Sequence, residues 1–293
     1  MTLTVLIIGC GDIGMTLGRE LLSEGHRVIG VRRHVDALRD TGIEPLALDL
    51  NSLEEADASA LPEADYVIYT VSADRFEQSA YQSAYSDGMK RVLGVLEQHA
   101  NPPRRVFFVS STSVYGQQEG EVVNEESPTE PTSFSGTLMC EAEQALIHHP
   151  IPGTVVRFSG IYGPGRDRLI HQVAEGRLAT VTPVIYSNRI HRDDCTGILA
   201  HLIHCQENDQ PLADLYLGSD CEPVTLHNVM NWIAKQLKVE STETMQSPLR
   251  RRTSKRCDNR RLLETGYQFR YPTFREGYAQ VLKEGGFWQV QKA

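Results

Sequence analysis

"VLIIGCGDIGMTLGREL", residues 5–21, decides how the rest of the chain is read. The apolar run 5–8 leads straight into Gly9, Gly11 and Gly14 in the pattern G-x-G-x-x-G, and an amphipathic stretch follows. Glycine spacing alone is weak evidence. Placed after a strand and at the opening of a helix, it has the context that a dinucleotide fingerprint requires. Gly9 permits the tight turn, Gly11 lets the backbone approach a pyrophosphate, and Gly14 allows close helix–strand packing. The turn residues Gly9, Gly11, Asp12, Ile13 and Gly14 are therefore candidate cofactor contacts, with the free N–H groups of the helix start facing the phosphates. A glycine-rich turn without a ligand is the plainer alternative.

Working outward, short apolar runs alternate with helical periodicity through the first half of the chain. Strands are expected at 3–8, 27–31, 44–48, 66–71, 106–110 and 154–158, and helices near 12–24, 34–41, 52–59, 75–100 and 134–149. The strands are rich in Val and Ile on both faces, which fits a parallel sheet covered by helices on each side. Alternation over six units predicts a doubly wound α/β fold of Rossmann type, with a ligand crevice at the carboxyl ends of the strands. After about residue 160 the alternation breaks. "GIYGPGRDR" reads as loop, and helices follow at 168–176, 193–206, 225–237, 258–265 and 274–284. The expected division is a dinucleotide-binding domain over 1–162, its sheet completed by a strand near 212–218, and a smaller, mainly helical substrate lobe over 163–293.

Composition narrows the class. A net charge of −9 over 293 residues argues against a nucleic-acid partner, because phosphate binding needs a positive field. The six cysteines include no C-x-x-C pair, which points to reduced thiols rather than a disulfide framework or zinc site. The apolar start is a strand and not a secretion signal, since no basic residue precedes it and the run is too short. No stretch approaches the ~18 apolar residues of a membrane span. A cytoplasmic protein with no membrane partner is expected.

The second strand ends in "VIGVRRH". An NAD-preferring site usually carries an Asp or Glu there for the ribose 2′-OH, whereas this chain has Arg32 and Arg33. Guanidinium groups suit a 2′-phosphate, so NADP is expected in preference to NAD. Solvated surface charge is the alternative.

Further motifs carry a family resemblance: "GCGDIG" at 9–14, "DL" at 49–50, "ADYVIYTVSA" at 64–73, "VFFVSSTSVYG" at 106–116, "VVRFSGIYGPGR" at 155–166, "RIHRDDC" at 189–195 and "YLGSDCEPVTL" at 216–226. In their order and spacing they resemble the extended or atypical short-chain dehydrogenases/reductases of the NAD-dependent epimerase/dehydratase group, and especially the YeeZ-like bacterial proteins. The resemblance implies an oxidoreductase or epimerase acting on a small molecule, one that could carry a phosphate or nucleotide. It implies that Asp49 and Leu50 border the adenine, with Asp49 accepting from its amino group. Thr70, Val71 and Ser72 would run under the cofactor. Ser110 and Met139 would lie against it, and Phe158 and Ser159 would border the nicotinamide. Ser111 would hold the place of the catalytic Ser/Thr, while Tyr162 and Arg166 would stand near the substrate entrance. Tyr115 of "VYG" would pack in its loop. Relatives often pair through the helices near 75–100 and 134–149, so a homodimer is an expectation.

One stretch departs from that pattern. The family's redox chemistry uses a tyrosine phenol and a lysine four residues on, one helical turn apart and so on one face. The lysine lowers the phenol's pKa from about 10 toward the working range. In "TSFSGTLMCEAEQAL", residues 132–146, counting back from "AE" at 142–143 puts the tyrosine position on Ser135 and the lysine position on Met139. The position of the family's usual Asn falls on Tyr85. A serine hydroxyl is a far weaker acid than a phenol, and methionine supplies neither charge nor a strong donor. A positioned acid or base contributes about 10²–10⁴ in rate. Ser111 and Ser135 remain the candidate catalytic residues, with Tyr85, Tyr115 and Tyr162 as other sources of an acid. A dinucleotide-binding sensor or scaffold that has lost catalysis is the rival reading.

Two lesser signals complete the inventory. "PLRRRTSKR" at 248–256, with Arg260 and Arg261, could grip a substrate phosphate or be solvated surface. His201, His204 and Cys205 have metal-like proximity on one helix, but without further ligands no metal site is expected. His191 is read as ordering its loop rather than abstracting a proton.

Overall fold

The computed structural model describes residues 1–54, 57–240, 243–245 and 254–287. Its centre is a seven-stranded parallel sheet built from β1 (Thr4–Ile8), β2 (Arg27–Arg32), β3 (Glu44–Ala47), β4 (Tyr66–Tyr69), β5 (Arg105–Ser111), β6 (Gly153–Phe158) and β7 (Leu215–Gly218). The order is β7-β6-β5-β4-β1-β2-β3, so the winding reverses between β1 and β4. The glycine turn follows β1 at that reversal, where an open parallel sheet leaves its crevice. The middle strands are buried throughout, from Val5–Ile8 in β1 to Tyr66–Tyr69 in β4, as a sheet covered on both faces requires.

The principal helices are α1 (Asp12–Ser23), α2 (Gly88–Glu97), α3 (Phe134–Ile147), α4 (Arg192–Glu207), α5 (Leu226–Leu237) and α6 (Phe274–Glu284). In α1, Gly14, Leu17, Gly18 and Leu21 form the buried stripe at helical spacing. The run entering α2 begins at Gln78–Tyr81 and widens into a π-turn over Gln82–Asp87. There the Tyr69 hydroxyl donates to the Ala84 carbonyl at 2.5 Å, an insertion into the ladder of the kind that accompanies such turns. In α3 the Ser133 hydroxyl caps the start by accepting from Gly136 N, and Leu138, Met139, Ala142, Glu143 and Leu146 are buried.

Two expected helices contract to single turns. Near 34–41 only Val35–Leu38 is helical; Asp40 takes φ +58° and Thr41 donates its hydroxyl to Leu38 O at 2.6 Å, closing the turn. Near 52–59 the described residues form separate turns at Leu50–Ser52 and Ala58–Ala60. Asp49 and Asp57 each accept from a backbone N–H two residues on, and such side-chain bonds compete with helix propagation.

Contacts group the chain into two compact units. One comprises 1–114, 129–157 and 196–216, the other 115–128, 158–195 and 217–293. The chain thus passes from unit to unit several times.

The second unit has a core of its own, in which Val229 and Ile233 of α5 and Phe274, Tyr278 and Val281 of α6 are buried together. It is less helical than expected. Gly160–Tyr162 pairs with Arg189–His191, Tyr186–Ser187 with Val224–Thr225, Glu121–Val123 with Lys255–Cys257, and Arg177–Ala179 with Glu243–Met245. Each pair joins segments distant in sequence, so local periodicity does not reveal it. The first also makes a strand of part of the stretch read as loop.

Candidate functional site

Gly9 takes φ +80°, and a Cβ there would lie 2.6 Å from the Val71 Cα, so the β1–α1 turn closes directly on the end of β4. Gly9 N and Cys10 N both donate to Val31 O at 3.0 Å, and the Thr70 hydroxyl reaches Gly9 O at 2.9 Å. Gly14 packs equally closely, since a Cβ on it would lie 2.9 Å from Ile7 Cγ2. Gly11 differs. A Cβ there would meet only Gly9 O, at 3.7 Å, so no protein atom demands glycine at that position. Gly11 is also the N-cap of α1 and offers no side-chain acceptor to the first-turn N–H groups. The turn is a cradle with donors at its floor and space above Gly11, the arrangement that suits a pyrophosphate.

Around this cradle lie the other residues named from sequence. Arg32 ends β2 and donates from Nη1 to Cys10 O at 3.3 Å. Arg33 is half exposed and already paired with Asp74 at 2.5 Å. The exposed Asp49 accepts from Asn51 N at 3.0 Å and holds the turn that begins at Leu50. Thr70 and Val71 are half buried and Ser72 is exposed on the segment leaving β4.

The expected catalytic positions come from β5 and α3. Ser111, half buried at the end of β5, accepts from Ser113 N at 3.2 Å and keeps its own proton available to donate. Ser135 is buried with its hydroxyl 3.0 Å from that of Ser133. Met139 is buried one turn further along α3. Ser110 is more enclosed than a cofactor contact should be: its hydroxyl donates to Glu143 Oε1 at 2.5 Å. Glu143 in turn receives Arg157 Nε at 2.9 Å and Nη2 at 2.6 Å, and both partners are buried. Sequence reasoning missed this pair. The available signal was a lone arginine in the apolar strand "GTVVRF" and a glutamate on the apolar face of α3.

Of the three tyrosines considered as acids, Tyr85 lies in this unit. Burial pushes its phenol pKa up to about 12, and the backbone of Ala73 works against that rise. Tyr115 is fully buried and donates to Asn124 O at 2.7 Å, an anchoring role.

Tyr162 requires a correction. Expected near a substrate entrance, it is only 3 % exposed and stacks on Tyr278 with centroids 4.4 Å apart, as a core residue of the second unit. Arg166 is exposed in the loop that Gly163 and Arg166 close by a backbone bridge. Phe158 is buried, and Ser159 is buried with a hydroxyl that finds no hydrogen-bond partner among the described residues.

His191 is fully buried between the rings of Tyr162 and Tyr271; its Nδ1 accepts from Asp193 N at 3.2 Å and its Nε2 lies 3.2 Å from Gln280 Oε1. Burial lowers its pKa, which suits an ordering role. Within the basic cluster, residues 248–253 lie outside the described residues. Of the rest, Lys255 is buried with Nζ 3.3 Å from Tyr115 O, Arg256 donates to Gly120 O, and Arg260 and Arg261 pair with Asp258 and Glu126. These four groups hold their own unit together.

Residues 5–193 match the profile of the NAD dependent epimerase/dehydratase family. The chain belongs to that family. A Methylobacillus flagellatus protein of the NAD-dependent epimerase/dehydratase type is 34% identical, with TM-score 0.79 over 98% of this chain and 100% of its own. Escherichia coli K12 YeeZ is 33% identical over 171 residues, which are 55% of this chain and 60% of YeeZ, so the matched region spans less than two thirds of that relative. The human epimerase family protein SDR39U1, solved with NADPH, shares the fold at 19% identity, with TM-score 0.78 over 96% of this chain and 99% of its own. Epimerase/dehydratase membership accounts for the glycine turn and the strand order. No helix among the described residues is long and apolar enough to cross a membrane.

Proposed function

We propose that this chain is an epimerase-type protein that binds a nicotinamide dinucleotide, NADP in preference to NAD, at the Gly9–Gly14 turn. The observation that carries the reading is the contrast within the turn. Gly9 and Gly14 are required by protein packing, while Gly11 faces space and sits at an uncapped helix start. In this reading Asp12 and Ile13 offer backbone N–H groups to the pyrophosphate while Gly11, whose own N–H is held by Gly9 O, leaves the room for it, Arg32 meets a 2′-phosphate, and Asp49 and Leu50 border the adenine. Thr70, Val71 and Ser72 line the path beneath, as Met139 does further on. Arg33 is the lesser partner because Asp74 already occupies it. Structures of the same fold hold NADPH, as in the human relative, or NAD, which supports a nicotinamide dinucleotide; the preference for NADP rests on Arg32.

The nicotinamide, when bound, supplies hydride exchange. The chain's own contribution differs from the usual one, since Ser135 and Met139 give neither a phenol nor an ammonium. An enzyme reading rests on Ser111 as a donor and on the Tyr85 phenol beside Ala73, next to the segment assigned to the dinucleotide. The substrate class is a small carbonyl or nucleotide-bearing molecule. A second reading, a dinucleotide sensor or scaffold, is favoured by the same two residues of α3.

Calorimetric titration with NADPH and NADH, followed by turnover assays on carbonyl and nucleotide-sugar panels, tests both. Turnover of any substrate supports the enzyme; tight binding with no turnover moves the assignment to the sensor. Failure to bind either nucleotide overturns both readings.

A further inference from the structure

The first unit carries a second cluster of chemically capable groups, away from the glycine turn. Glu24 follows the last residue of α1, His26 immediately precedes β2, and His204 lies in the last turn of α4. Glu24 and His204 are 180 residues apart in sequence, so no local motif announces the group. Both imidazole Nε2 atoms converge on one carboxylate oxygen: Glu24 Oε2 is 2.9 Å from His204 and 3.7 Å from His26. One ligand atom from each of the three residues lies within 4.8 Å of the others. Tetrahedral coordination by nitrogen and oxygen at about 2.0–2.1 Å places ligand atoms roughly 3.3 Å apart, within small side-chain rotations of these spacings.

We propose that Glu24, His26 and His204 form a binding site for a divalent transition metal, of which Zn²⁺ suits the two-imidazole, one-carboxylate donor set, with water as a fourth ligand. The plain alternative is a surface hydrogen-bond cluster. It explains the His204–Glu24 contact, but it gives no role to the third donor, His26 Nε2, which lies 3.7 Å from the same oxygen and so is not hydrogen-bonded to it. That ring is oriented instead by Leu3 N–H, which donates to Nδ1 at 3.3 Å. The same bond favours the tautomer with its proton on Nε2. An ion bound at Nε2 requires that proton to move to Nδ1, which ends the Leu3 contact and leaves the Leu3 N–H unpaired, weakening affinity by roughly 5- to 150-fold.

The site sits at the far end of α1 from the dinucleotide turn, about 18 Å away along a 12-residue helix. An ion there is structural: it staples the α1–β2 turn to α4.

Titration of the metal-stripped full-length protein with ZnCl₂ and CoCl₂ tests the proposal. One ion per chain, a rise in Tm, and a Co²⁺ spectrum without a thiolate charge-transfer band are expected. Glu24→Gln and His204→Gln should each weaken binding at least tenfold, and His26→Gln should weaken it also. Glu24 and His204 are partly exposed, so the metal-free variants should unfold like the wild type, which separates loss of the site from loss of the fold. Cys205→Ser removes the competing His201–Cys205 pair, whose Sγ and Nε2 lie 3.3 Å apart, and should leave binding unchanged. Absence of saturable binding, a thiolate band, or full affinity in His204→Gln would each overturn the assignment.

Discussion

Arg157 on β6 grips Glu143 on α3 through two parallel hydrogen bonds, 2.9 Å from Nε to Oε1 and 2.6 Å from Nη2 to Oε2, inside the core. The Ser110 hydroxyl adds a third bond to Oε1, so one buried carboxylate ties α3 to the neighbouring strands β5 and β6. The same helix carries Ser135 and Met139. Their placement against β5 is therefore fixed by an ion pair about one turn from Met139 and two from Ser135.

Removing one partner of this pair leaves the other charged and dry. Arg157→Met should cost about 3–5 kcal/mol, because an uncompensated buried charge is left behind. Glu143→Leu together with Arg157→Met should cost much less than the sum of the two single changes. Urea unfolding of the two single variants and the double variant measures the difference; additive losses would show that the two groups do not act as a pair.

The glycine turn separates packing from ligand binding. Gly9→Ala forces a Cβ into the Val71 backbone at a positive φ and should lower Tm whether or not nucleotide is present. Gly11→Ala should keep the unliganded Tm near that of the wild type yet abolish dinucleotide binding, since its Cβ fills the space assigned to the pyrophosphate. Thermal melts with and without NADPH distinguish the two. An unstable Gly11→Ala that still binds would reverse the assignment.

Cofactor choice should rest on Arg32 more than on Arg33. Charge-assisted hydrogen bonds contribute roughly 1.5–3 kcal/mol, so Arg32→Ala should lose about 10–100-fold in NADPH affinity and leave NADH little changed. Arg33→Ala should have the smaller effect, because its guanidinium is already committed to Asp74. Calorimetry on both variants with both nucleotides gives the four numbers required; equal losses for the two cofactors would remove the 2′-phosphate from the argument.

Asp220 supplies a pH dependence. It is 2 % exposed, and burial pushes its carboxyl up to about 8. A carboxyl whose folded pKa lies above its unfolded value near 3.8 favours the folded state while protonated. Its contribution is fully present below pH ~4 and is lost as the pH rises through about 8, where folding holds an ionised group in the interior. Asp220→Asn keeps the neutral shape at every pH. It should flatten the stability profile between those limits and exceed the wild type above pH 8, as chemical denaturation across a pH series would show.

The sequence by itself determined the architecture and the family. The continuous apolar runs and the period-3.6 patterns over residues 3–158 and the glycines at 9, 11 and 14 are local codes: each reflects what a few consecutive residues can pack or allow. The turns at Leu50–Ser52 and Ala58–Ala60 mark the limit of that code, because Asp49 and Asp57 divert the backbone with bonds that hydrophobic periodicity does not register. Tertiary structure alone decided the pairings between distant segments. Glu143 meets Arg157, Glu24 meets His204, and Gly160–Tyr162 finds Arg189–His191 only after the chain has folded back on itself. It also withdrew Tyr162 into a core and gave Arg33 a partner. Burial and charge pairing depend on neighbours brought from far along the chain. A composition or a spacing can name the residues able to do chemistry; only packing determines which of them remain free to do it.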